Sequence, residues 1–375
     1  MVVFENNSDI GHGYAVVGTV SGTTPSYGTQ VEFAAQGFTH NPNIAFDPNT
    51  ENKFVIAYKA YGNSSYGTAV VGTISGTSVS FGTPVVFESA ASAHVDVAFS
   101  SGTAGKCVIT YSDAGNSSYG TAVVGTVSGT SISFGTPVVF VSSGADYTSI
   151  ASDPFNTNKF VIAYMATGNS NYGTAVVGTM SGTSISFQTP VVFTGTRGIV
   201  STAIDFDPNT ENKLVIQTKG GLTSSAVGCV TVGTLSGNSI SFATPIELTN
   251  TNNNNQCVKF SHSAANAGKF ICSYGDGDDS YHGKMRLGQI AATTVTSATN
   301  LTTTNFIGTS TAAYADDATA TIKLKGGLSS GHSSLTIGSD YYIQTNGTLG
   351  TSAGTPSVKI GKALTATTIL MKGET

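Results

Sequence analysis

The 375-residue chain contains no tryptophan, and only 10% of its residues are charged. Leucine, glutamate, lysine and arginine are scarce, whereas valine, isoleucine, threonine, phenylalanine and tyrosine are abundant and 45 residues are glycine. Good helix formers are therefore rare and good strand formers are common, which argues against a helical protein. Because the apolar residues recur in clean runs, the composition predicts a packed β structure rather than disorder.

Basic residues are also few. The net charge is −5 and no cluster of lysine or arginine occurs, so we predict no nucleic-acid partner. No apolar run reaches transmembrane length, and the N-terminal MVVFENNSD lacks the basic start and apolar core of a secretory signal. We therefore expect no signal peptide, no membrane insertion and synthesis in a reducing cytoplasm.

Neither the cysteines nor the short motifs indicate a redox, metal or catalytic centre. The sequence has no nucleophile elbow, HExxH motif, Walker loop or dinucleotide fingerprint, so no catalytic residue and no cofactor is predicted. The four cysteines lie in strand-like segments, none in a CxxC pair, and we expect them to be buried free thiols. They are Cys107, Cys229, Cys257 and Cys272.

What the sequence does contain is a repeat. The stretch YGTAVVGTVSGTSISFGTPVVF at 119–140 recurs almost verbatim at 66–87 and 172–193, with looser copies at 12–33 and 227–248. The three closest copies are spaced 53 residues apart. Such periods indicate that one supersecondary unit is repeated in a solenoid, propeller or array.

Each repeat contains four strand-like segments, which we call A, B, C and D. Turn residues separate them: DPNTEN or DPFNTN lies between A and B, and SGT lies between C and D. Four short antiparallel strands per repeat are typical of a β-propeller blade. In the third close copy, the segments are 147–153, 159–165, 173–180 and 184–193.

The number of blades follows from the glycine that marks segment C. Five clear copies and one degenerate copy (283–290) predict an all-β, six-bladed β-propeller over residues 1–305. A second pattern of short strands predicts a small all-β domain over 306–375. The clear copies are marked by Gly18, Gly72, Gly125, Gly178 and Gly233.

The first repeat lacks its own A segment, and a segment that could replace it lies far along the chain. If FIGTSTAAYAD at 306–316 pairs with 1–5, the propeller closes through a shared blade, which removes two exposed sheet edges. Alternatively, residues 306–316 belong wholly to the second domain. The sixth D segment is predicted at 295–301.

The variable loops predict which face of the propeller carries function. The A–B and C–D turns change little between repeats, whereas the B–C and D–A loops, which share the opposite face, differ widely. Binding residues concentrate in loops that a rigid scaffold holds in place. The predicted D–A loops are 34–41, 88–94, 141–147, 194–199, 249–256 and 302–305.

Candidate ligand-binding residues lie on this variable face. An arginine and histidines there suit an acidic sugar, although ordinary exposed loop residues are the alternative. Tyr66, Tyr119 and Tyr172, which end three B–C loops, suit either sugar stacking or packing over the next strand. The candidates are His40, His94, Tyr147, Arg197, Asn253 and His282.

Two carboxylates are candidates for the wall of the central channel. We expect Asp96 in HVDVAF and Asp205 in TAIDFD to hold corresponding places. A hydrolase would need such a pair, and solvated channel residues are the alternative. The loop DGDDS is a weak candidate for a hard cation, because it lacks a full calcium-loop spacing. Its carboxylates are Asp276, Asp278 and Asp279.

The C-terminal residues resemble a module that ends many tail-fibre and structural proteins of marine bacteriophages. The resemblance rests on LTIGSDYYIQ (335–344), GTLG (347–350) and IGKALTATTILMKG (360–373), and the blade repeat also resembles repeats of such proteins. It implies a virion component that is made in the host cytoplasm and carried on the particle. In that family the module begins near NFIG, which competes with the use of 306–316 for closure.

We therefore expect a virion fibre or receptor-binding protein, and no enzyme. Its variable face would bind a host-surface polysaccharide or a neighbouring virion subunit, and a homo-oligomer is compatible with this role. Two alternatives remain open from the sequence, a glycan-active propeller hydrolase and a self-assembling fibre subunit without a ligand. The serine-, threonine- and asparagine-rich loops and the lack of tryptophan favour binding over hydrolysis.

Overall fold

The computed structural model describes residues 1–9, 11–34, 38–222, 227–249, 253–276, 279–280, 282–290, 308–310, 322–324, 328–330, 333–343, 349–353 and 358–371. All regular structure in these ranges is β-strand or short 3-10 helix, so the all-β prediction is confirmed. No helix in them is long and apolar enough to span a bilayer. The chain divides into two compact units, Met1–Ile290 and Ala291–Thr375.

The first unit is a series of antiparallel modules, which are numbered 1 to 6 in chain order. Module 1 comprises β1 (Val2–Asn6), β2 (His12–Val16), β3 (Gly18–Ser21), β4 (Thr24–Tyr27) and β5 (Val31–Ala34). Module 2 comprises β6 (Thr39–Phe46), β7 (Lys53–Ala60), β8 (Tyr66–Ser75), β9 (Ser78–Phe81) and the first half of β10 (Val85–Phe99).

The later modules repeat this arrangement. Module 3 comprises the second half of β10, β11 (Lys106–Asp113), β12 (Tyr119–Ser128), β13 (Ser131–Phe134) and the first half of β14 (Val138–Ser152). Module 4 comprises the rest of β14, β15 (Lys159–Ala166), β16 (Tyr172–Ser181), β17 (Ser184–Phe187) and β18 (Val191–Val192).

Modules 5 and 6 complete the described part of the first unit. Module 5 comprises β19 (Ile199–Phe206), β20 (Lys213–Gly220), β21 (Gly228–Ser236), β22 (Ser239–Phe242) and β23 (Ile246–Thr249). Module 6 comprises β24 (Asn253–Phe260), β25 (Lys269–Asp276) and β26 (His282–Gln289). Short 3-10 helices span Asn7–Asp9, Tyr61–Asn63, Ala114–Asn116 and Ala264–Asn266.

The core lies between the modules, and an internal module such as module 2 buries both of its faces. In β7, Phe54, Ile56 and Tyr58 pack towards module 1, whereas Val55 and Ala57 pack towards module 3. Successive side chains of a strand point to opposite faces, so two-sided burial demands apolar residues at consecutive positions. This explains why the B segments read as continuous apolar runs such as KFVIAY.

The D segments differ from the prediction of single strands. In module 2, β9 pairs with the C-terminal part of β8, whereas the first half of β10 pairs with the N-terminal part of β8. Gly82, Thr83 and Pro84 lie between the two pairings and shift the register by one residue. Proline has no N–H to donate to a ladder, so the strand is interrupted there.

Two of the predicted D–A loops are strands, and the prediction of loops at 88–94 and 141–147 was wrong. Val85–Phe99 runs without a break from module 2 into module 3, and Val138–Ser152 runs likewise from module 3 into module 4. Bulges at Ala93/Asp96 and Asp146/Ser149 let each strand change partners. A bulge turns a strand sharply within a continuous ladder, so no loop is needed.

The A–B turns follow their predicted chemistry and also tie neighbouring modules together. The Oδ1 atom of Asp47 accepts the N–H of Asn49 at 2.9 Å, which is the expected side-chain turn. Its Oδ2 atom accepts the N–H of Gly105 in module 3 at 2.8 Å. Asp207 makes the same pair of bonds with Asn209 and Gly268 in module 6, each at 2.9 Å.

The described part of the predicted closing segment lies in a ladder of the second unit. Within 306–316, β27 (Gly308–Ser310) pairs with β28 (Ile322–Leu324), and β1 is the edge strand of its own sheet. Residues 306–307 and 311–316 lie outside the described ranges, so both alternatives for this segment stay predictions. The predicted sixth D segment, 295–301, falls outside the described ranges, and a closed ring of six blades stays a prediction.

The second unit has its own five-stranded antiparallel sheet, in the order β29-β33-β32-β30-β31. Leu335, Tyr341, Ile360, Ala363 and Ile369 form its core. These residues lie in the motifs LTIGSDYYIQ and IGKALTATTILMKG, so the two motifs fold onto one another. The strands are β29 (Leu328–Ser330), β30 (Asp340–Ile343), β31 (Leu349–Gly350), β32 (Val358–Thr365) and β33 (Thr368–Met371).

We predict that Gly82→Ala weakens the contact between modules 2 and 3. A Cβ atom on Gly82 would lie 1.9 Å from the backbone oxygen of Thr130, which no side-chain rotation can relieve. Overpacking of this kind costs about 1–3 kcal/mol, measurable as a lower midpoint of urea unfolding. Gln188 holds the same repeat position in module 4, so Gln188→Ala is the control; equal midpoints for both variants would contradict the prediction.

Candidate functional site

A cavity of about 850 Å³ opens in the first unit, where the A strands of modules 2 to 6 come together. Its wall is formed by β6, the second halves of β10 and β14, β19 and β24. The wall carries amide, hydroxyl, carboxyl and amino groups between aliphatic side chains. Polar wall residues include Asn43, Asp96, Ser149, Thr202, Lys219 and Lys259.

One repeat position lines this cavity in four consecutive modules. Asn41, His94, Tyr147 and Val200 are spaced 53 residues apart and all line the cavity. The first three have positive φ angles of 48°, 51° and 51°. Left-handed backbone is uncommon for residues other than glycine, and such strain gathers at functional sites. The bulges therefore hold two aromatic rings and an amide at the cavity wall. Asn41, His94 and Tyr147 are called the rim residues below.

Hydrogen bonds between modules fix the rim. The backbone oxygen of His94 accepts a hydrogen bond from the Thr148 hydroxyl, and that of Tyr147 accepts one from the Thr202 hydroxyl. The His94 and Tyr147 rings lie 4.6 Å apart between centroids. Because these bonds join consecutive modules, they fix the backbone positions that carry the two rings.

The surroundings of His94 favour its neutral form. Burial lowers the pKa of His94 below its ordinary value. The carboxylate of Asp146, whose Oδ1 atom lies 3.6 Å from Nε2 of His94, opposes that shift without cancelling it. A neutral imidazole offers one donor and one acceptor, which suits a hydroxyl-rich ligand.

Asp96 joins modules 3 and 4. Its Oδ2 atom accepts the N–H of Ile150 at 2.9 Å and the hydroxyl of Ser149 at 3.1 Å, and its Oδ1 atom accepts the N–H of Val97 at 2.9 Å. Burial raises the pKa of Asp96, and these hydrogen bonds oppose the shift. The carboxylate is therefore engaged in joining two strands.

Asp205 does not match Asp96 in register, so the view that they hold corresponding places was wrong. Asp96 is opposite Thr110 in its ladder, whereas Asp205 is opposite Val215, two residues further along the repeat. The Oδ2 atom of Asp205 accepts the N–H of Phe260 at 2.8 Å, in module 6. The two aspartates thus bind two different junctions rather than facing one ligand.

Asp205 is also electrostatically distinct from Asp96. Burial raises the pKa of Asp205, and nearby Lys259 opposes the shift. The Lys259 Nζ atom lies 3.5 Å from Oδ1 of Asp205 and is itself well exposed at the cavity wall. The lysine, rather than the aspartate, is the group of this pair that lines the cavity.

Two further predicted binding residues, His40 and Arg197, do not line the cavity. His40 is half-exposed beside the rim, with Nδ1 3.8 Å from Glu5 and its ring 5.7 Å from that of Tyr61. Arg197 is exposed on the segment between β18 and β19. Asn253 begins β24, and its side chain is outside the described residues.

Two carboxylates of the acidic DGDDS loop form ion pairs with Lys284 of β26. The Lys284 Nζ atom lies 2.6 Å from Asp276 and 3.1 Å from Asp279, and these contacts raise the pKa of Lys284. His282 is exposed, with Nδ1 3.2 Å from Asp279 Oδ1. Asp278 is outside the described residues, and the described ones contain no group of three potential metal ligands.

Some wall residues were missed by the sequence analysis. Asn41 could have been found, because it precedes His94 by the 53-residue period. The 53-residue period does not mark Lys219 or Lys259 as wall residues. Cys257 was predicted to be buried but is exposed at the cavity wall, because an A strand has one face on the cavity. The other three cysteines are buried, and all four are free thiols.

The comparisons with known proteins support the fold. No protein-family model matches the chain, and no curated protein matches it. Its structure is similar to that of the BP39L lectin from Burkholderia pseudomallei, at 10% identity, 77% coverage of each chain and a TM-score of 0.56. It is also similar to AofleA from Arthrobotrys oligospora, at 8% identity, 75% and 77% coverage and a TM-score of 0.50.

A third similar structure is that of an enzyme. The Penicillium chrysogenum alpha-L-arabinanase, complexed with arabinobiose, is 13% identical, with 74% of this chain and 85% of that chain covered and a TM-score of 0.50. Identities this low establish a shared fold and nothing about chemistry. The first unit therefore has an all-β, propeller-like architecture.

We predict that Asp96→Ala loosens the junction between modules 3 and 4. Removing the carboxylate leaves two backbone N–H groups and a hydroxyl without their acceptor, which costs about 1–3 kcal/mol. Denaturant unfolding measures the loss. Ser89→Ala, at an exposed position of the same strand, is the control; an Asp96→Ala variant as stable as this control would refute the structural role.

We predict that His94 makes the protein acid-sensitive. Because the folded-state pKa lies below the unfolded value of about 6.5, the neutral ring contributes stability above that pH, and this stability is lost as the pH falls through the folded pKa. Unfolding midpoints at pH 7.5 and pH 5 should therefore differ less in His94→Gln than in the wild type. Parallel pH profiles would contradict this.

Proposed function

We propose that the first unit binds a glycan in the cavity at the A strands, with the rim residues as the recognition surface. The observation that carries this proposal is the rim, where strained backbone holds Asn41, His94 and Tyr147 at one repeat position of three modules. A tyrosine supplies a flat apolar face and a hydroxyl, which suits a sugar ring. The amide and the neutral imidazole supply directional hydrogen bonds.

The size and lining of the cavity support a small oligosaccharide as ligand. A volume of about 850 Å³ is in the range of known ligand sites, and a few polar groups among aliphatic ones give orientation. Two of the similar structures also point to sugars, since one is named a lectin and one contains arabinobiose.

Binding without hydrolysis is favoured by the carboxylates. Glycoside hydrolysis requires two carboxyl groups facing one sugar, about 5–10 Å apart. Among the described residues that line the cavity, Asp96 is the one carboxylate, and it accepts three hydrogen bonds within the protein. Asp205, the other sequence candidate, bonds to the backbone of Phe260.

The biological setting of the proposal is a bacteriophage virion. Its support is the resemblance of the C-terminal motifs, which form one packed core in the second unit, to the module of phage fibre proteins. The protein would then act as a fibre or receptor-binding component whose partner is a host-surface polysaccharide. The polypeptide should occur in purified particles of a phage that carries its gene. Its absence from such particles would overturn the proposal that the protein is a virion component.

We predict that Tyr147→Ala weakens glycan binding at least tenfold, which corresponds to about 1.4 kcal/mol. The probe is an array of bacterial surface polysaccharides, followed by calorimetry with the best ligand. Tyr27→Ala is the matched control, since Tyr27 is an exposed tyrosine on β4, outside the cavity. Melting curves of both variants must match the wild type.

The same preparation separates binding from cleavage. Release of reducing ends from the bound polysaccharide, abolished by Asp96→Asn or Asp205→Asn, would replace the binding proposal with a hydrolase. If neither Tyr147→Ala nor His94→Ala changed the affinity for the glycan, the rim residues would not belong to the binding site. A protein that binds no glycan and assembles into long polymers would support the fibre-subunit alternative.

A further inference from the structure

Two lysines line the cavity on the side of modules 5 and 6. They are Lys219 of β20 and Lys259 of β24. Asp96 is the one carboxylate among the described residues that line the cavity, so lysines outnumber carboxylates there. The net charge of the chain is −5, and the cavity therefore differs in sign from the protein as a whole.

Lys259 and Asp205 hold one repeat position, at which the earlier modules have alanine. In the ladders, Asp205 is opposite Val215 and Lys259 is opposite Ile271. Modules 5 and 6 thus carry a pair of opposite charges where modules 2, 3 and 4 have a small apolar side chain. The corresponding ladder pairs of those modules are Ala45 with Val55, Ala98 with Val108, and Ala151 with Val161.

The geometry of the pair presents the ammonium group to the cavity and covers the carboxylate. The Oδ2 atom of Asp205 accepts the N–H of Phe260 at 2.8 Å, and its Oδ1 atom lies 3.5 Å from Nζ of Lys259. The side chain of Asp205 is 20% exposed, whereas that of Lys259 is 69% exposed. Because an ammonium group has three N–H donors, Lys259 can contact Asp205 and a ligand oxygen at the same time.

Lys219 borders the same part of the cavity wall. Side chains two residues apart in a strand share one face. Gln217, two residues before Lys219 in β20, donates a hydrogen bond from Nε2 to the backbone oxygen of Ser273 in module 6 at 3.2 Å. Lys219 is therefore on the face of β20 that is directed towards module 6, the module that carries Lys259. Its ladder partner, Ser201, also lines the cavity.

The lining carboxylate does not cancel the two positive charges. Asp96 accepts three hydrogen bonds within the protein, all from residues at the junction of modules 3 and 4. Burial raises the pKa of Asp96, and these hydrogen bonds and the charge of Lys259 oppose the rise. The field of Lys259, in module 6, therefore extends to the cavity wall formed by module 3.

We propose that the glycan bound in the cavity is anionic and that Lys219 and Lys259 bind its carboxylate or phosphate group. Such a ligand presupposes the proposed function, since it occupies the same cavity. The rim residues belong to modules 2, 3 and 4, so the neutral part of the glycan would contact them while its anionic group lies at modules 5 and 6. A lysine attracts carboxylate and phosphate alike, because its ammonium group acts as a point charge.

Polysaccharides with and without their anionic groups test the class of ligand. The probe is the same array of bacterial surface polysaccharides, in which each acidic member is paired with its neutralised form. Reduction of carboxyl groups to alcohols neutralises uronic acids, and hydrofluoric acid removes phosphate, so the two treatments distinguish the two groups. The full-length protein should bind an acidic member about tenfold more tightly than its neutralised form, or better.

Substitution of the lysines tests which residues bind the anionic group. Lys259→Met should lose about tenfold in affinity for the native glycan, as expected for a hydrogen bond to a charged group, and should bind the neutralised form as the wild type does. Lys259→Arg keeps a positive charge and should retain most of the affinity, whereas Lys219→Met should repeat the loss. Lys106→Met is the matched control, because Nζ of Lys106 contacts Thr126 outside the cavity. Melting curves of all variants must match the wild type.

Three outcomes would decide against an anionic ligand held by the lysines. Equal affinity for native and neutralised glycans would exclude it and leave glycan binding at the rim residues intact. Equal losses for the native and neutralised forms in Lys219→Met and Lys259→Met would mean that neither lysine contacts the anionic group. Binding to no member of the array would remove the proposed function itself, and the anionic ligand with it.

Discussion

The apolar contact between the faces of consecutive modules is the constraint on which the first unit depends. A module is one antiparallel sheet, and Phe54, Ile56 and Tyr58 on one side and Val55 and Ala57 on the other leave it with two apolar faces. Such a sheet has no solvent-facing side, so it is stable only between two neighbours. The repetition of the sequence, the continuous apolar runs and the series of modules all follow from this need.

The cavity is a consequence of the same stacking. Neighbouring sheets bring their A strands together, and each A strand must then serve a module junction on one side and the cavity on the other. Aspartates on the A strands and in the A–B turns join the modules: Asp96, Asp205 and Asp207 each accept a backbone N–H from the next module. This use of aspartate explains how carboxyl groups can be close to a glycan-sized cavity without forming a catalytic pair.

The sequence predicted the features that depend on neighbouring residues. The SGT hairpins, the aspartate turns and the separation of the A, B and C strands were recognisable because glycine, proline, asparagine and aspartate act on their own backbone. Predictions that depended on contacts between residues of different modules were less accurate. The segments 88–94 and 141–147 carry loop-like residues but form strands, because pairing with the next module outweighs local preference.

By itself, the sequence determined the all-β class, the period of 53 residues and the apolar character of the B and C strands. Only the tertiary structure decided that Asn41, His94 and Tyr147 share a rim, that Asp96 and Asp205 are out of register, and that Cys257 is exposed. The physical reason is that bulges shift the register of a strand against its partner. A bulge depends on which ladder bonds form on both sides of the strand, and those partners lie about fifty residues away.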